Sequence, residues 1–295
     1  MSKNKFTGTG VAMVTPFNTD GSVDFDGLSR LINSCIDGGV EYLVSLGTTG
    51  ESATLNNHEK ESVIQHTIEV IDGRVPLVIG LGSNNTADLI SSIKAQNFDK
   101  VDAILSVSPY YNKPTQEGIY QHYKAVAEAC PVDIILYNVP GRTSSNITAE
   151  TTLRLANDFD NVVAIKEASG DMEQCMDIIR KKPAGFQVIS GDDLLALPYL
   201  ACGMDGVISV IANAYPKHFS DMIRAGLEHN FKAGSELHYR LMDLMQLLFA
   251  DGNPGGVKVV LEKNGICENT LRLPLVPVND VIKQKLIEAD SKLLA

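Results

Sequence analysis

The chain has 295 residues, of which 44% are hydrophobic and 21% charged, and its 25 basic and 36 acidic residues give a formal net charge of −11. This composition is typical of a folded globular protein, and it excludes disordered, collagen-like and disulfide-scaffold chains. The acidic balance also argues against a nucleic-acid-binding protein, because such proteins usually present a basic face.

The sequence contains no signal for a membrane or a secretory route. No window holds about 18 consecutive apolar residues, so no membrane span is predicted. Residues 1–6 lack the apolar core of a signal peptide. The five cysteines are widely spaced and form no CxxC pair, which favours free thiols in a reducing compartment. We therefore expect a cytoplasmic protein that binds neither nucleic acid nor membrane.

Eight short apolar runs recur along the chain, with stretches of helical length between them. The runs are rich in Val, Ile or Leu without strict alternation, which is typical of parallel strands covered on both faces. Eight strands alternating with helices predict an α/β fold, the (β/α)8 barrel, with a doubly wound sheet as the alternative. The predicted strands are residues 9–15, 42–46, 76–81, 103–107, 133–137, 162–166, 187–190 and 206–210. Amphipathic helices are predicted over residues 24–37, 59–71 and 115–129.

The pattern changes after about residue 214, where helices follow one another without a convincing strand. We predict a catalytic barrel over residues 1–229 and a C-terminal helical appendix over residues 230–295. Four apolar residues of this appendix lie at helical spacing, which is typical of core or oligomer packing: Leu241, Leu244, Met245 and Leu248.

Motifs for cofactors and metals are missing from the sequence. There is no Walker A motif, no GxSxG elbow and no HExxH zinc helix. Residues 80–85 lack the third glycine of a dinucleotide fingerprint. The six histidines are scattered and fall mostly on predicted helices. We therefore expect neither a metal nor an organic cofactor.

Candidate reactive side chains follow three of the predicted strands, and barrel enzymes carry their chemistry at the carboxyl ends of strands. The second strand leads into residues 47–51, GTTGE, where two hydroxyls stand between glycines that allow close backbone approach. The fifth strand ends at Tyr137, and Arg142 follows in the next turn. The sixth strand ends at Lys166.

Lys166 is the most informative of these residues, because lysine is rarely buried. It is either a nucleophile inside the barrel or a side chain that reaches the rim. Burial would favour the free amine, which can attack a ketone and form a Schiff base. Tyr137 ends the neighbouring strand, about 4.8 Å away, and can pass protons beside that amine. Thr48 could connect the phenol to a further group, and Arg142 suits a carboxylate.

Four motifs together resemble the pyruvate-dependent class I aldolase family: GTTGE at 47–51, YNVPGRT at 137–143, IKEASG at 165–170 and GDD at 191–193. The resemblance covers almost the whole chain. It implies a Schiff-base lyase of lysine and diaminopimelate biosynthesis that condenses pyruvate with L-aspartate 4-semialdehyde and then closes a ring. The alternatives are an N-acetylneuraminate lyase or a 2-keto-3-deoxy sugar-acid aldolase of the same family, or a non-catalytic binding barrel. Arg142 favours the semialdehyde, because the sugar-acid aldolases generally lack this arginine.

The resemblance also implies a role for each matching residue. Lys166 would form the Schiff base, and Tyr137 would be the general acid and base. Thr48 and Tyr111 would complete a proton relay, with Tyr111 crossing into the neighbouring subunit's site. Four further residues would bind substrate: Thr49, Arg142, Gly191 and Ile208. No cofactor is implied, and the family is usually a homotetramer built as a dimer of dimers.

Lysine feedback is a further property to which the resemblance points. Family members that lysine inhibits bind it at the dimer interface, and some matching positions here fit: Ser52, Ala53, Asn84, Asp88 and Tyr110. Asn57 and Lys60, however, stand where sensitive enzymes often carry histidines or acids. Lys60 would place a cation beside a cationic effector. We therefore expect weak or absent inhibition by lysine.

Overall fold

The computed structural model describes residues 5–294. Eight parallel strands form a closed barrel in which each strand pairs with the next along the chain and the last pairs with the first. The predicted (β/α)8 barrel is thereby confirmed, and the doubly wound alternative is excluded. The strands are β1 (Gly8–Ala12), β2 (Tyr42–Ser45), β3 (Leu77–Gly80), β4 (Ala103–Val107), β5 (Asp133–Asn138), β6 (Val162–Glu167), β7 (Gln187–Ser190) and β8 (Gly206–Ser209).

Twelve α-helices lie within the described residues, and the first eight of them follow β1 to β7. These are α1 (Phe25–Asp37), α2 (Asn57–Ile71), α3 (Thr86–Ala95), α4 (Gln116–Ala129), α5 (Pro140–Thr143), α6 (Ala149–Asp158), α7 (Met172–Lys181) and α8 (Ala196–Ala201). The three helices predicted above begin within two residues of their expected starts. Side-chain caps explain why: Asp24, Asn56 and Thr115 each accept a hydrogen bond from a backbone N–H of the first turn.

Two apolar clusters divide the strand residues between the two faces of the barrel. One fills the interior and includes Ile135, Tyr137 and Ala164. The other lies between the strands and the surrounding helices and includes Leu136 and Ile165. Because side chains alternate along a strand, a residue two positions beyond Ala164 faces the same interior. That residue of β6 is Lys166.

The remaining helices form the C-terminal part of the molecule: α9 (Pro216–Leu227), α10 (Phe231–Leu247), α11 (Gly255–Lys263) and α12 (Asp280–Leu294). The four apolar residues singled out in the sequence are buried, and they belong to the apolar cluster that surrounds the barrel. The predicted boundary after residue 229 falls between α9 and α10, and the apolar cluster continues across it. The division into two domains stays a prediction.

Candidate functional site

A cavity of about 410 Å³ opens at the carboxyl ends of the strands. Its wall contains residues that follow β2, residues at the ends of β5 and β6, and residues that follow β7. Six of the eight residues proposed from the sequence line it: Thr48, Thr49, Tyr137, Arg142, Lys166 and Gly191. The fold therefore brings together groups that lie more than 140 positions apart in the sequence.

Lys166 and Tyr137 lie side by side at the base of this cavity. They are paired residues on β6 and β5. Lys166 is only 6% exposed, and its Nζ lies 4.5 Å from the centre of the Tyr137 ring. The lysine ion pairs of residues 5–294 are formed elsewhere, by Lys5, Lys124, Lys181, Lys182, Lys217, Lys258, Lys263 and Lys283. Lys166 therefore occupies the interior position rather than the rim, and its amine is open to a ligand in the cavity.

Gly191 gives the side chain of Lys166 the space that it occupies. A Cβ atom at position 191 would lie 3.0 Å from Cε of Lys166 and 2.6 Å from Cβ of Ala168. The Gly191 N–H donates a 2.7 Å hydrogen bond to the Glu167 carbonyl, which holds the β7 end against β6. A side chain here would displace the amine, so the geometry requires a residue without Cβ.

The two predicted hydroxyls lie on a tight turn after β2. Thr48–Gly50 form a single 3₁₀ turn, and Thr49 is buried. The hydroxyl of Thr15 donates a 2.6 Å hydrogen bond to the Gly50 carbonyl. From the other side, Nδ2 of Asn253 donates a 3.0 Å hydrogen bond to Oγ1 of Thr49. The turn is thus held both by the chain that follows β1 and by the C-terminal part of the molecule.

A buried ion pair fixes the end of the same turn. Nζ of Lys258, on α11, lies 2.6 Å from Oε1 of Glu51, and both side chains are fully buried. Lys258 also donates to the Thr270 carbonyl at 2.8 Å, and Glu51 accepts from the Arg272 N–H at 3.1 Å. Burial lowers the pKa of Lys258, and the carboxylate of Glu51 opposes that shift.

Neither this ion pair nor the contribution of the C-terminal segment to the cavity is predicted from the sequence. Phe249 and Asn253 both line the cavity, although they lie far beyond the eight strands in the sequence. Lys166 is conspicuous because it is a lysine next to an apolar run, and the same feature is present at Lys258 in the α11 sequence GGVKVVLEK. That feature could have identified Lys258 as a buried residue.

Arg142 lies at the edge of the cavity on α5, where it is exposed. The arginine ion pairs of the described chain are formed by Arg30, Arg154, Arg180, Arg224 and Arg272. Arg142 is not among them. Its guanidinium is therefore placed to meet an anionic ligand that enters the cavity.

Tyr111 and Ile208 are not part of the cavity wall. Tyr111 is 87% exposed, and its φ of 75° lies in the left-handed region, which is rare for a bulky residue. The neighbouring Asn84 and Asn112 hold this loop, because each amide donates to a backbone carbonyl of the other segment. Ile208 lies on β8 beside Gly10, with its side chain buried in the barrel interior. The roles assigned to these two residues stay predictions.

Asp193 organises the segment that follows β8. Its Oδ2 accepts hydrogen bonds from the backbone N–H groups of Val210 at 3.0 Å and Ile211 at 2.8 Å. Its Oδ1 is buried without a partner among the described residues. Burial raises the pKa of this carboxyl to about 6. Since Val210 lines the cavity, Asp193 supports the part of the cavity wall that follows β8.

We expect the replacement Asp193→Asn to change how stability depends on pH. Folded Asp193 binds its proton more tightly than the unfolded chain, so the contribution of this carboxyl to stability is complete only below pH 3.8 and is lost as the pH rises through about 6. The asparagine variant keeps the two acceptor contacts without this loss. As the pH rises from 4 to 7, the free energy of unfolding of the variant, measured in urea, should increase by about 2–3 kcal/mol relative to that of the parent protein.

Asp193→Ala is the matched control, because it removes both the charge and the acceptor. It leaves two buried N–H groups without a partner, and we expect it to destabilise the protein by about 2–4 kcal/mol at pH 7. Equal behaviour of the alanine and asparagine variants would contradict the role given to Asp193.

Within residues 5–294, no group of three or more His, Cys, Asp or Glu side chains is placed to hold a metal ion. Among the same residues, no helix has both the length and the apolar character needed to cross a membrane.

Comparison by sequence and comparison by structure point to the same kind of protein. A family model described as the dihydrodipicolinate synthetase family matches residues 5–292. The 4-hydroxy-tetrahydrodipicolinate synthase of Flavobacterium psychrophilum is 56% identical, over 95% of this chain and 96% of its own. That of Parabacteroides distasonis is 51% identical, over 98% and 97% of the two chains. A solved monomeric dihydrodipicolinate synthase variant superposes with a TM-score of 0.96 at 40% identity, covering 99% of this chain and 98% of its own.

Proposed function

The chain belongs to the dihydrodipicolinate synthetase family, and on this premise we propose that it performs the reaction for which its relatives are named. It condenses pyruvate with L-aspartate 4-semialdehyde to form 4-hydroxy-tetrahydrodipicolinate, in the biosynthesis of diaminopimelate and lysine. The enzyme is a carbon–oxygen lyase that works through a Schiff base. The main structural support for this proposal is the buried amine of Lys166, which lies beside the phenol ring of Tyr137. Both residues line a cavity that has Arg142 at its edge.

The first half of the reaction activates pyruvate. The amine of Lys166 attacks the keto carbon, and loss of water from the carbinolamine gives the imine. Tyr137 lies beside this amine and exchanges the protons that these steps require. The Thr49 hydroxyl and backbone bind the pyruvate carboxylate. A methyl proton then leaves, and the imine becomes a nucleophilic enamine.

The second half of the reaction forms the new carbon–carbon bond and closes the ring. The enamine carbon attacks the aldehyde carbon of the semialdehyde, whose carboxylate binds Arg142. The aldehyde oxygen takes up a proton and becomes the hydroxyl of the product. The amino group from the semialdehyde then attacks the imine carbon and displaces Lys166. Ring closure therefore regenerates the free lysine without a cofactor.

Borohydride trapping tests this function directly. The protein is incubated with pyruvate and borohydride, digested and analysed by mass spectrometry. We expect a reduced pyruvate adduct on the peptide that contains Lys166. Consumption of aspartate semialdehyde is followed in parallel, with N-acetylmannosamine and sugar-acid aldehydes as competing acceptors. The absence of an adduct, or a preference for the sugar aldehydes, would refute the proposal.

We expect Arg142→Ala to impair the use of the second substrate, aspartate semialdehyde, selectively. Loss of the guanidinium removes charge-assisted hydrogen bonds to a carboxylate, so kcat/KM for the semialdehyde should fall about 10- to 100-fold. Pyruvate trapping should be unchanged. Steady-state kinetics with each substrate varied in turn provides the measurement. Arg180→Ala, at an exposed arginine on α7, is the matched control and should behave as wild type. An equal effect on both substrates would contradict this assignment.

Subunit assembly remains part of the proposal. A homotetramer built as a dimer of dimers would place Tyr111 in a neighbouring site, and the exposure and strained backbone of this residue support a role outside its own subunit. One solved neighbour is a monomeric variant, so the assembly of this chain needs its own measurement. Sedimentation combined with mixing of Tyr111→Phe and Lys166→Arg chains tests both points: hybrid dimers that regain activity support a shared site.

Weak feedback by lysine is expected from the residues on α2. Lys60 would repel a cationic effector bound nearby, and Asn57 lacks an acidic or imidazole side chain that could bind it. We expect half-inhibition only above the submillimolar range in an inhibition curve with free lysine. Lys60→Glu should increase the sensitivity, whereas Lys124→Glu, at a partly exposed lysine on α4, should not. Half-inhibition of the wild type at submillimolar lysine would contradict this prediction.

A cytoplasmic location follows from the same proposal. The reaction belongs to amino-acid biosynthesis, and the cysteines Cys35, Cys130, Cys175, Cys202 and Cys267 are free thiols in the structure. Free thiols persist in a reducing compartment. Fractionation of cells that produce the protein would test this location.

A further inference from the structure

Asn253 is a polar residue of the C-terminal segment that reaches the active-site cavity. It lies between α10 and α11, lines the cavity and is only 8% exposed. Its Nδ2 donates a 3.0 Å hydrogen bond to Oγ1 of Thr49. Its Oδ1 is buried and has no partner among the described residues. Within that part of the chain, the contact with Thr49 is therefore the only hydrogen bond of this amide.

The direction of that hydrogen bond determines where the Thr49 hydroxyl proton points. An amide NH₂ group can only donate, so Oγ1 of Thr49 is the acceptor in this contact. A hydroxyl oxygen that accepts from one side still has its own proton to donate. Thr49 itself lines the cavity. Its proton is consequently available to an anionic group bound there.

The C-terminal segment holds this arrangement in place at a second point. Two residues after Thr49, Glu51 forms the buried ion pair with Lys258 of α11. Asn253 stands just before the first turn of α11, and Lys258 lies within that helix. The segment before α11 and the helix itself therefore contact the turn after β2 at two residues, Thr49 and Glu51. A contact anchored in this way keeps its geometry when a substrate enters.

We propose that Asn253 is a positioning residue, which orients the Thr49 hydroxyl so that its proton is donated to the carboxylate of the keto acid bound at Lys166. This inference rests on the proposed function. It gives the C-terminal segment a part in binding the first substrate, beyond its packing against the barrel. The hydroxyl would turn elsewhere without an obligate donor at position 253, and the keto acid would lose a hydrogen bond.

Asn253→Asp tests the proposal by reversing the hydrogen bond at nearly constant shape. A carboxylate can only accept, so the Thr49 proton turns toward position 253 and a negative charge faces the keto acid. At pH 8 we expect KM for pyruvate to rise about 10- to 100-fold, with less than about a threefold change in KM for the semialdehyde. As the pH falls toward 5.5, the introduced carboxyl gains a proton and can donate again. The ratio of variant to wild-type KM should then decrease.

A double-mutant cycle separates positioning from a purely structural role. Asn253→Ala should raise KM for pyruvate about 3- to 10-fold when Thr49 is present. In a Thr49→Val background, the same alanine substitution should have no further effect, because no hydroxyl remains to be oriented. A structural residue would instead lower kcat and the melting temperature and affect both substrates alike. The alanine variants serve if the aspartate variant does not fold.

The outcomes distinguish this inference from the proposed function. Wild type that forms no borohydride adduct with pyruvate overturns the proposed function and this inference with it. If the wild-type protein is active and forms the pyruvate adduct, but KM for pyruvate is unchanged in Asn253→Asp, only this inference is overturned. An alanine effect of equal size with and without the Thr49 hydroxyl also overturns it. Two results together support the inference. KM for pyruvate rises selectively and in a pH-dependent way in Asn253→Asp, and the rise caused by Asn253→Ala disappears in the Thr49→Val background.

Discussion

Replacing Lys166 with arginine should reduce turnover at least about 10³-fold and abolish borohydride trapping of pyruvate. Arginine also has a long, basic side chain, but its guanidinium stays protonated and cannot act as an amine nucleophile. The substitution therefore removes the nucleophile while it keeps a side chain of similar length at this position. Initial rates with aspartate semialdehyde, together with mass spectrometry of the trapped protein, provide the measurement.

The control for this variant is Lys217→Arg. Lys217 is an exposed lysine on α9, with a side chain that is 73% accessible and paired with Asp221. Its replacement should leave both rate and trapping unchanged. A Lys166→Arg protein that retains more than about a tenth of wild-type turnover would show that another group is the nucleophile.

Lys258→Met should be among the most destabilising single substitutions in the protein. It removes the counter-ion of Glu51 from a fully buried pair, so that the backbone N–H of Arg272 remains as a hydrogen-bond donor to a buried carboxylate. Breaking such a pair costs about 3–5 kcal/mol, which corresponds to a fall in melting temperature of roughly 10 °C. Thermal unfolding followed by circular dichroism provides the measurement.

The double variant Lys258→Met, Glu51→Gln tests the cause of that loss. With both charges removed, no buried ion is left uncompensated, so part of the lost stability should return. Lys217→Met, at the exposed pair on α9, is the matched control and should change stability by less than about 1 kcal/mol. A double variant less stable than Lys258→Met would show that packing, rather than charge, dominates at this position.

The barrel could be predicted because its signal is local. Each strand is a short apolar run, and the predicted limits differ from the observed ones by few residues. The first run is an exception, because it was predicted to extend to Thr15 whereas β1 ends at Ala12. The segment beyond β1 remains buried and apolar, so its composition resembles a strand. Its Met13 N–H still donates to the Val44 carbonyl, but regular pairing has ended.

The central pair of the site was predictable for a similar reason. Lys166 ends one apolar run, and Tyr137 ends the run before it, so both stand out from their neighbours. Asn253 gives no such signal, because it lies in a turn sequence, Asp-Gly-Asn-Pro, whose polar residues are ordinary for a loop. Its importance comes from a contact across 204 positions, which periodicity cannot reveal.

The order in which these contacts can form has a consequence for synthesis on the ribosome. All eight strands precede Asn253 and Lys258, so the barrel can close before α11 has been translated. Until α11 is translated, the carboxylate of Glu51 lacks the ammonium group of Lys258 with which it forms its ion pair. The nascent chain could thus contain a closed barrel whose keto-acid site is still incomplete. The site would be completed when the segment with Asn253 and α11, near the C-terminus, is translated.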